Sequence, residues 1–302
     1  MLYDIRQTTT YLYGGQVRVA RQVLRMTPVD RPHHQHVLSH SLSTDPSASE
    51  MEQGLDFFGN AIAWLTLDTP HDRLEISTHS RVEVKATPLP DVQASPMVDE
   101  VREAALASTD LGPNSPVHGL YASRSVPLDP AITDWTAESC APDRPILAAA
   151  WEVMERIHTE FAYEPGATDV TTLPHEAFLA KRGVCQDFAH VMIAGLRGLG
   201  LSARYVSGYL RTVPPAGQER LAGSDATHAW AEVWCGEELG WIGLDPTNAI
   251  AVGNDHIILA IGRDYADVAP VDGVIVASGE HLLAVGVDVV PVERPYAVAP
   301  AS

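Results

Sequence analysis

Apolar and polar residues alternate through the first quarter of the chain. Runs at 8–13, 17–26, 35–40, 62–67 and 74–79 follow this pattern, which is the spacing of half-buried strands. Gly14-Gly15 and Asp56-Phe57-Phe58-Gly59-Asn60 separate them as turn clusters. Short strands so spaced predict a small all-β sandwich over residues 1–86. This unit carries no evident chemistry, which leaves it packing, dimerisation (a homo-oligomer) or substrate framing.

The pattern then breaks. Residues 87–145 are punctuated by Thr87-Pro88-Leu89-Pro90, Gly112-Pro113-Asn114-Ser115-Pro116 and Val126-Pro127-Leu128-Asp129-Pro130, with one short helix expected at 99–108. So long a Pro-rich, irregular connection is expected to wrap the fold or frame a substrate. Beyond it Pro145 opens a helical period, with Leu147, Ala150, Trp151, Met154 and Ile157 on one face. A loop and short helix at 171–179 lead to a second helix. There Cys185, Phe188, Ala189, Met192, Leu196 and Leu199 recur at three- and four-residue steps, predicting one buried face, and Gly200 stops the helix. Strand-like stretches follow at 202–210, 227–234, 240–245, 256–261, 271–276 and 281–292. A polar loop at 212–225 is expected near any site built here. Helices followed by antiparallel strands make residues 146–302 a second unit and the chain α+β.

Composition changes this picture little. The 302 residues allow a full core and about two domains. Lys and Arg number 20 against 39 Asp and Glu, a net charge of −19. Nucleic acid and anionic membrane surfaces are therefore poor partners. No apolar run has the length of a membrane span, and the first residues show no signal-peptide core. Three cysteines argue against a disulfide scaffold. Together these features suggest a reducing, cytoplasmic setting.

The candidate chemistry starts at Cys185. A cysteine in the first turn of a helix meets unpaired backbone N–H groups and the positive end of the helix dipole, an environment that favours a thiolate nucleophile. Downstream, His228 lies in the alternating run Thr227-His228-Ala229-Trp230-Ala231-Glu232-Val233-Trp234, and Asp245 ends a short strand before Pro246. Nucleophile, base and orienter in this order form a catalytic set.

These motifs resemble the transglutaminase-like superfamily of cysteine enzymes, in its bacterial form with an N-terminal β-domain. The resemblance rests on Gly183-Val184-Cys185-Gln186-Asp187-Phe188-Ala189-His190, Arg204-Tyr205-Val206-Ser207-Gly208-Tyr209, His228-Ala229-Trp230, Asp245-Pro246-Thr247-Asn248 and Gly262-Arg263-Asp264-Tyr265-Ala266-Asp267-Val268-Ala269-Pro270. Leu24-Arg25-Met26-Thr27-Pro28 and Asp56–Asn60 resemble its N-terminal region. It implies a transglutaminase-like, papain-like core, with a catalytic helix packed on an antiparallel sheet. It also implies a peptide or protein amide substrate and a thioester on Cys185. Peptidase or amidohydrolase activity is favoured. The alternatives are transamidation of protein glutamine and a non-catalytic peptide-binding or assembly module. No cofactor or metal is implied.

Other residues take blander roles. Cys140 and Cys235 lack an activating context. Asp187 suits the helix dipole, and His190 is expected to be a hydrogen-bonded structural histidine; both should point away from the face of Cys185. Trp151 matches no oxyanion motif, so the second oxyanion donor is unassigned. His33, His34 and His36 are expected in an exposed loop rather than at a metal, and Asp264, Asp267 and Asp272 do not have EF-hand spacing.

Overall fold

The computed structural model describes residues 1–85, 87–212, 226–276 and 281–292, so most of the expected 212–225 loop lies outside the described residues. The N-terminal strands are β1 (Leu2–Val17), β2 (Val19–Thr27), β3 (Gln35–Asp45), β4 (Glu50–Leu55), β5 (Ala61–Leu67) and β6 (His71–Val84). Then come α1 (Val98–Ala107), α2 (Pro130–Ala137), α3 (Ile146–Glu160), β7 (Ala162–Tyr163), α4 (Pro174–Ala180), β8 (Arg182–Gly183) and α5 (Cys185–Gly198). The chain continues through β9 (Ala203–Leu210), β10 (Ala226–Trp234), β11 (Trp241–Asp245), β12 (Ile250–Ala251), β13 (His256–Gly262) and α6 (Tyr265–Val268). It closes with β14 (Val271–Val276) and β15 (His281–Pro291). The fold is α+β, as expected.

The N-terminal layers are two four-stranded sheets, ordered β15-β1-β6-β3 and β14-β2-β5-β4. This corrects the placement of the last two strands, which were expected in the second unit. β15 pairs antiparallel with β1 from Tyr3↔Pro291 to Tyr13↔His281, and β14 pairs with β2 from Val271↔Leu24 to Val276↔Val19. Without them β1 and β2 would be open edges. Val287 and Val289 also enter a buried cluster with Tyr3, Ile5, Tyr209, Ile257 and Leu259. Periodicity marked these stretches as strands and said nothing of which sheet they join. Two local expectations also change. Gly14 and Gly15 lie within β1, whose register with β6 is irregular between Leu12 and Val17, rather than in a turn. β4 (EMEQGL) is polar and mostly exposed, so no apolar alternation announced it.

Residues 87–145 are less irregular than their prolines suggest. α1 falls close to the expected helix, and α2 is new. The Asp129 carboxylate accepts from the Ala131 N–H at 2.9 Å, and Pro130 opens the first turn. Val98, Val101, Ala105, Leu120, Val126 and Ile132 are buried in the same core as α3 and α5. The guanidinium of Arg197, at the end of α5, donates to the Tyr121 carbonyl, the Ser123 hydroxyl and the carbonyls of Ala203 and Arg263. Burial pulls this guanidinium down to about 10.

The second unit is built on a five-stranded antiparallel sheet, β12-β11-β10-β9-β13. α5 packs against β9 and β10 on one side and α2, α3 and α4 on the other. It is therefore buried on every side, not along one face: all residues from Gln186 to Arg197 are buried, Asp187 and His190 included.

The free edge of β13 is closed by two side chains from the N-terminal unit. Gln35 accepts from the Ile258 N–H and donates to the Ile258 carbonyl, both at 2.8 Å. Asn60 does the same at Ile261, at 2.8 and 2.7 Å. Each carboxamide replaces one rung of a missing strand. Asp56 holds Asn60 in place by accepting from its backbone and side-chain N–H groups, both at 2.9 Å. The Asp56–Asn60 motif is thus a clamp between the two units.

Candidate active site

Cys185 opens α5 after Val184, whose extended backbone (φ −120°, ψ −177°) forms the N-cap. Asp187 Oδ2 accepts from the Val184 N–H at 2.8 Å and from the Thr168 hydroxyl at 2.6 Å. Burial pushes the Asp187 carboxyl up, and these donors pull it back. Only glycine fits before this turn, because a Cβ at Gly183 would meet Asp187 Oδ2 at 2.5 Å. The Gly183–Asp187 motif is therefore the device that starts the helix at Cys185. Cys185 is half-buried, whereas Cys140 and Cys235 are buried and their thiols are pushed up to about 12 by desolvation.

Along β10 the side chains alternate. Ala229, Ala231 and Val233 enter the helical core, while Trp230 packs with Val206 and Ile258 on the other face. His228, near the start of this strand, faces Cys185, and the thiol is among the groups that act on the ring. Its Nε2 lies 2.8 Å from Asp245 Oδ2, leaving Nδ1 for the thiol side. Burial alone would lower the imidazole, but hydrogen bonds and charge from Asp245 and Cys185 outweigh it and raise His228 to about 10. Asp245 is fully buried at the end of β11. Desolvation opposes its ionisation, yet its hydrogen bonds to His228, His256 and Asn248 hold it well below the usual carboxylate range.

Two of the groups around Asp245 had no role in the sequence reading. Asn248 Nδ2 donates to Asp245 Oδ2 at 2.8 Å, and the N–H groups of Thr247 and Asn248 donate to Oδ1 at 2.9 and 3.3 Å. Asn248 ends the quoted Asp245-Pro246-Thr247-Asn248 motif, so its signal was present. His256 Nε2 lies 3.2 Å from the same Oδ2, although two strands separate β11 from β13. Its only sequence signal was a histidine opening the apolar run HIILAIG.

The remaining candidates separate. His190 is buried; its Nε2 accepts from the Tyr265 N–H at 3.2 Å, and burial pulls the ring down to about 4. It is a structural histidine with no contact to Asp245 or Cys185 among its described bonds. His34 donates to the His256 carbonyl at 3.2 Å and His36 pairs with Asp30 at 3.1 Å, so the histidines of the 33–36 run have different partners. Asp264 caps α6 and Asp267 pairs with Arg263 at 2.8 Å. Tyr163 stands beside the nucleophile. β7 pairs it with Gly183, its ring meets Phe188 at 6.2 Å, and burial together with Cys185 raises its phenol.

A helix that opens on a cysteine and packs on an antiparallel sheet bearing a histidine and an aspartate has the layout of papain-like cysteine enzymes. The chain belongs to the transglutaminase-like superfamily, whose family model matches residues 133–246, and residues 3–83 match the bacterial transglutaminase-like N-terminal region. An uncharacterized protein of Mycobacterium tuberculosis is 37% identical over 300 residues, spanning 96% of this chain and 93% of that protein. A protein-glutamine gamma-glutamyltransferase of Pseudomonas aeruginosa is 33% identical over 140 residues, which is 45% of this chain and 20% of that protein. Among solved structures, a candidate cysteine protease of Cytophaga hutchinsonii shares the fold with a TM-score of 0.72 at 21% identity, covering 98% of this chain and 92% of that one.

Proposed function

We propose that the protein is a cysteine enzyme that cleaves amide or peptide bonds through Cys185, His228 and Asp245. The observation that carries this reading is the position of His228, whose Nε2 bonds buried Asp245 at 2.8 Å while the Cys185 thiol acts on the same ring. His228 takes the thiol proton and Cys185 attacks the carbonyl carbon. The same imidazolium then protonates the departing amine, leaving a thioester on Cys185. Asp245 holds the ring's tautomer and supports its charge. The Cys185 backbone N–H, in the first turn of α5, supplies one oxyanion donor. Water resolves the thioester in the hydrolytic cycle, which we favour.

A second reading is kept because of the similarity to the Pseudomonas aeruginosa gamma-glutamyltransferase: a second amine replaces water and the product is a transamidated glutamine. The choice depends on water exclusion and an amine pocket. The three free cysteines fit a reducing, cytoplasmic setting. Among the described residues no helix is long and apolar enough to cross a membrane.

The test is cysteine alkylation resolved by peptide mass spectrometry, followed by turnover of peptide amides with and without added amine. Cys185 should react selectively and lose its advantage in His228→Ala, and Cys185→Ala should fold normally with no turnover. Retained turnover in Cys185→Ala would sink the assignment.

A further inference from the structure

We infer that His256 is a positioning residue for the reaction proposed above, one that keeps Asp245 ionised and aimed at His228 and that the N-terminal unit holds in place. The inference rests on that reading of Cys185, His228 and Asp245.

The geometry comes first. The His256 ring is 1% exposed, and its two nitrogens have fixed roles. Nδ1 accepts from the Gly253 N–H at 3.2 Å, so the ring proton sits on Nε2, the atom facing Asp245 Oδ2 at 3.2 Å. Trp230 packs edge-on against the ring at 5.2 Å and also touches His228, whose ring lies 6.3 Å from that of His256. Rotation of the imidazole would break the Gly253 bond and this packing. Oδ2 of Asp245 thus has two imidazole partners in fixed directions, and the carboxylate cannot turn without losing one of them.

The physical consequence follows from burial. A carboxylate with no solvent contact is strongly driven to take up a proton unless donors stabilise its charge. His256 supplies one such donor. The titratable groups facing this carboxylate are His228 on β10, with Cys185 of α5 behind it, and His256 on β13. From α3, His158 approaches the same turn, with Nδ1 2.8 Å from the Thr247 carbonyl oxygen.

Behind His256 the support comes from the N-terminal unit. His34 Nε2 donates to the His256 carbonyl at 3.2 Å, and Gln35 brackets Ile258. Tyr3 donates to Asp255 at 2.7 Å, one residue before the histidine. The β-domain therefore reaches the candidate catalytic carboxylate through one ring.

The experiment measures the pH dependence of Cys185 alkylation by iodoacetamide in the full chain, for wild type, His228→Ala, His256→Phe and His256→Gln. Circular dichroism at each pH confirms that each variant is folded. Phenylalanine keeps the ring volume without a donor, and glutamine keeps a donor of similar reach. In His256→Phe an Asp245 that is protonated or misdirected no longer supports the imidazolium that stabilises the thiolate. The acid limb of the profile should move to higher pH by about one unit, about tenfold in rate on that limb, the size of one charged hydrogen bond. His256→Gln should return most of the shift. A His256→Phe profile that overlays the wild type, or a His256→Gln profile as displaced as His256→Phe, overturns the role of His256 while leaving the enzyme reading intact. If wild-type Cys185 reacts no faster than in His228→Ala, the enzyme reading fails, and the role of His256 fails with it.

Discussion

Asp245 accepts hydrogen bonds on both oxygens while sealed from water, and this concentration of donors gives the site a distinctive pH behaviour. His228 stands at about 10 in the folded chain, against about 6.5 for an unperturbed histidine. A raised histidine contributes stability fully below its unfolded value and loses it as pH climbs through the folded one. The effect is cleanest in Cys185→Ala, where no thiol stands beside the ring. There the window closes below about 10, because part of the elevation comes from Cys185. Cys185→Ala should be more stable than Cys185→Ala/Asp245→Asn near pH 6.5, and the gap between their urea midpoints should narrow as pH rises above about 6.5. A gap that widens with pH would mean that Asp245 does not hold the imidazolium. At this scale the sequence was informative where chemistry and local structure coincide. Cys185 was legible because a helix start, a glycine and an acidic third residue occur together. His256 was not, because nothing in a strand histidine's neighbours tells which carboxylate lies across the sheet. Asn248 lies between these cases, quoted within a motif yet without a partner until Asp245 was in place.

α5 was expected to bury one stripe and instead lies at the centre of the second unit. The period found its apolar residues correctly, but the polar ones are buried as well, each with a local solution. Asp187 caps its own helix, His190 accepts from Tyr265, and Arg197 is satisfied by four backbone or hydroxyl oxygens. Sequence periodicity reads such residues as solvent-facing, since it has no record of the partners that desolvate them. The edge of β13 shows the same limit. Asn60 followed Gly59 in a stretch that read as a turn, and its second role as a strand-edge mimic depends on where β13 lies. Removing that carboxamide leaves the Ile261 N–H and carbonyl buried and unpaired. Asn60→Ala should cost about 2–6 kcal/mol, from two buried groups at about 1–3 each. Asn60→Asp keeps the acceptor that the Ile261 N–H and Arg31 use, but turns an oxygen toward the Ile261 carbonyl and Asp56, so it too should fall well short of wild type. Chemical denaturation of the three proteins decides this, and a change below about 0.5 kcal/mol for Asn60→Ala would show that the clamp is dispensable.

At the scale of the whole chain, the route of the polypeptide joins what the sequence suggested were successive units. After β13 and α6 the chain leaves the second unit and returns to complete both N-terminal sheets, β14 on β2 and β15 on β1. Val287 and Val289 of β15 then pack with Tyr3 and Ile5 on one side and with Tyr209, Ile257 and Leu259 of the second unit on the other. A chain ended after Ala269 loses more than two edge strands. It uncovers β1 and β2 and removes two valines from the cluster where the units meet, each worth about 1.5–3 kcal/mol when fully buried. Against a typical total of about 5–15 kcal/mol, that loss is large. The shortened chain should bind a hydrophobic dye and unfold at much lower urea than the full chain. Its Cys185 should also lose its His228-dependent reactivity, because β13 carries His256 and has lost part of its backing. A different result is informative too. If the shortened chain kept that reactivity while its N-terminal residues became protease-sensitive, the second unit would be shown to hold its own site, and the dependence of Asp245 on the β-domain through His34 and Gln35 would be ruled out.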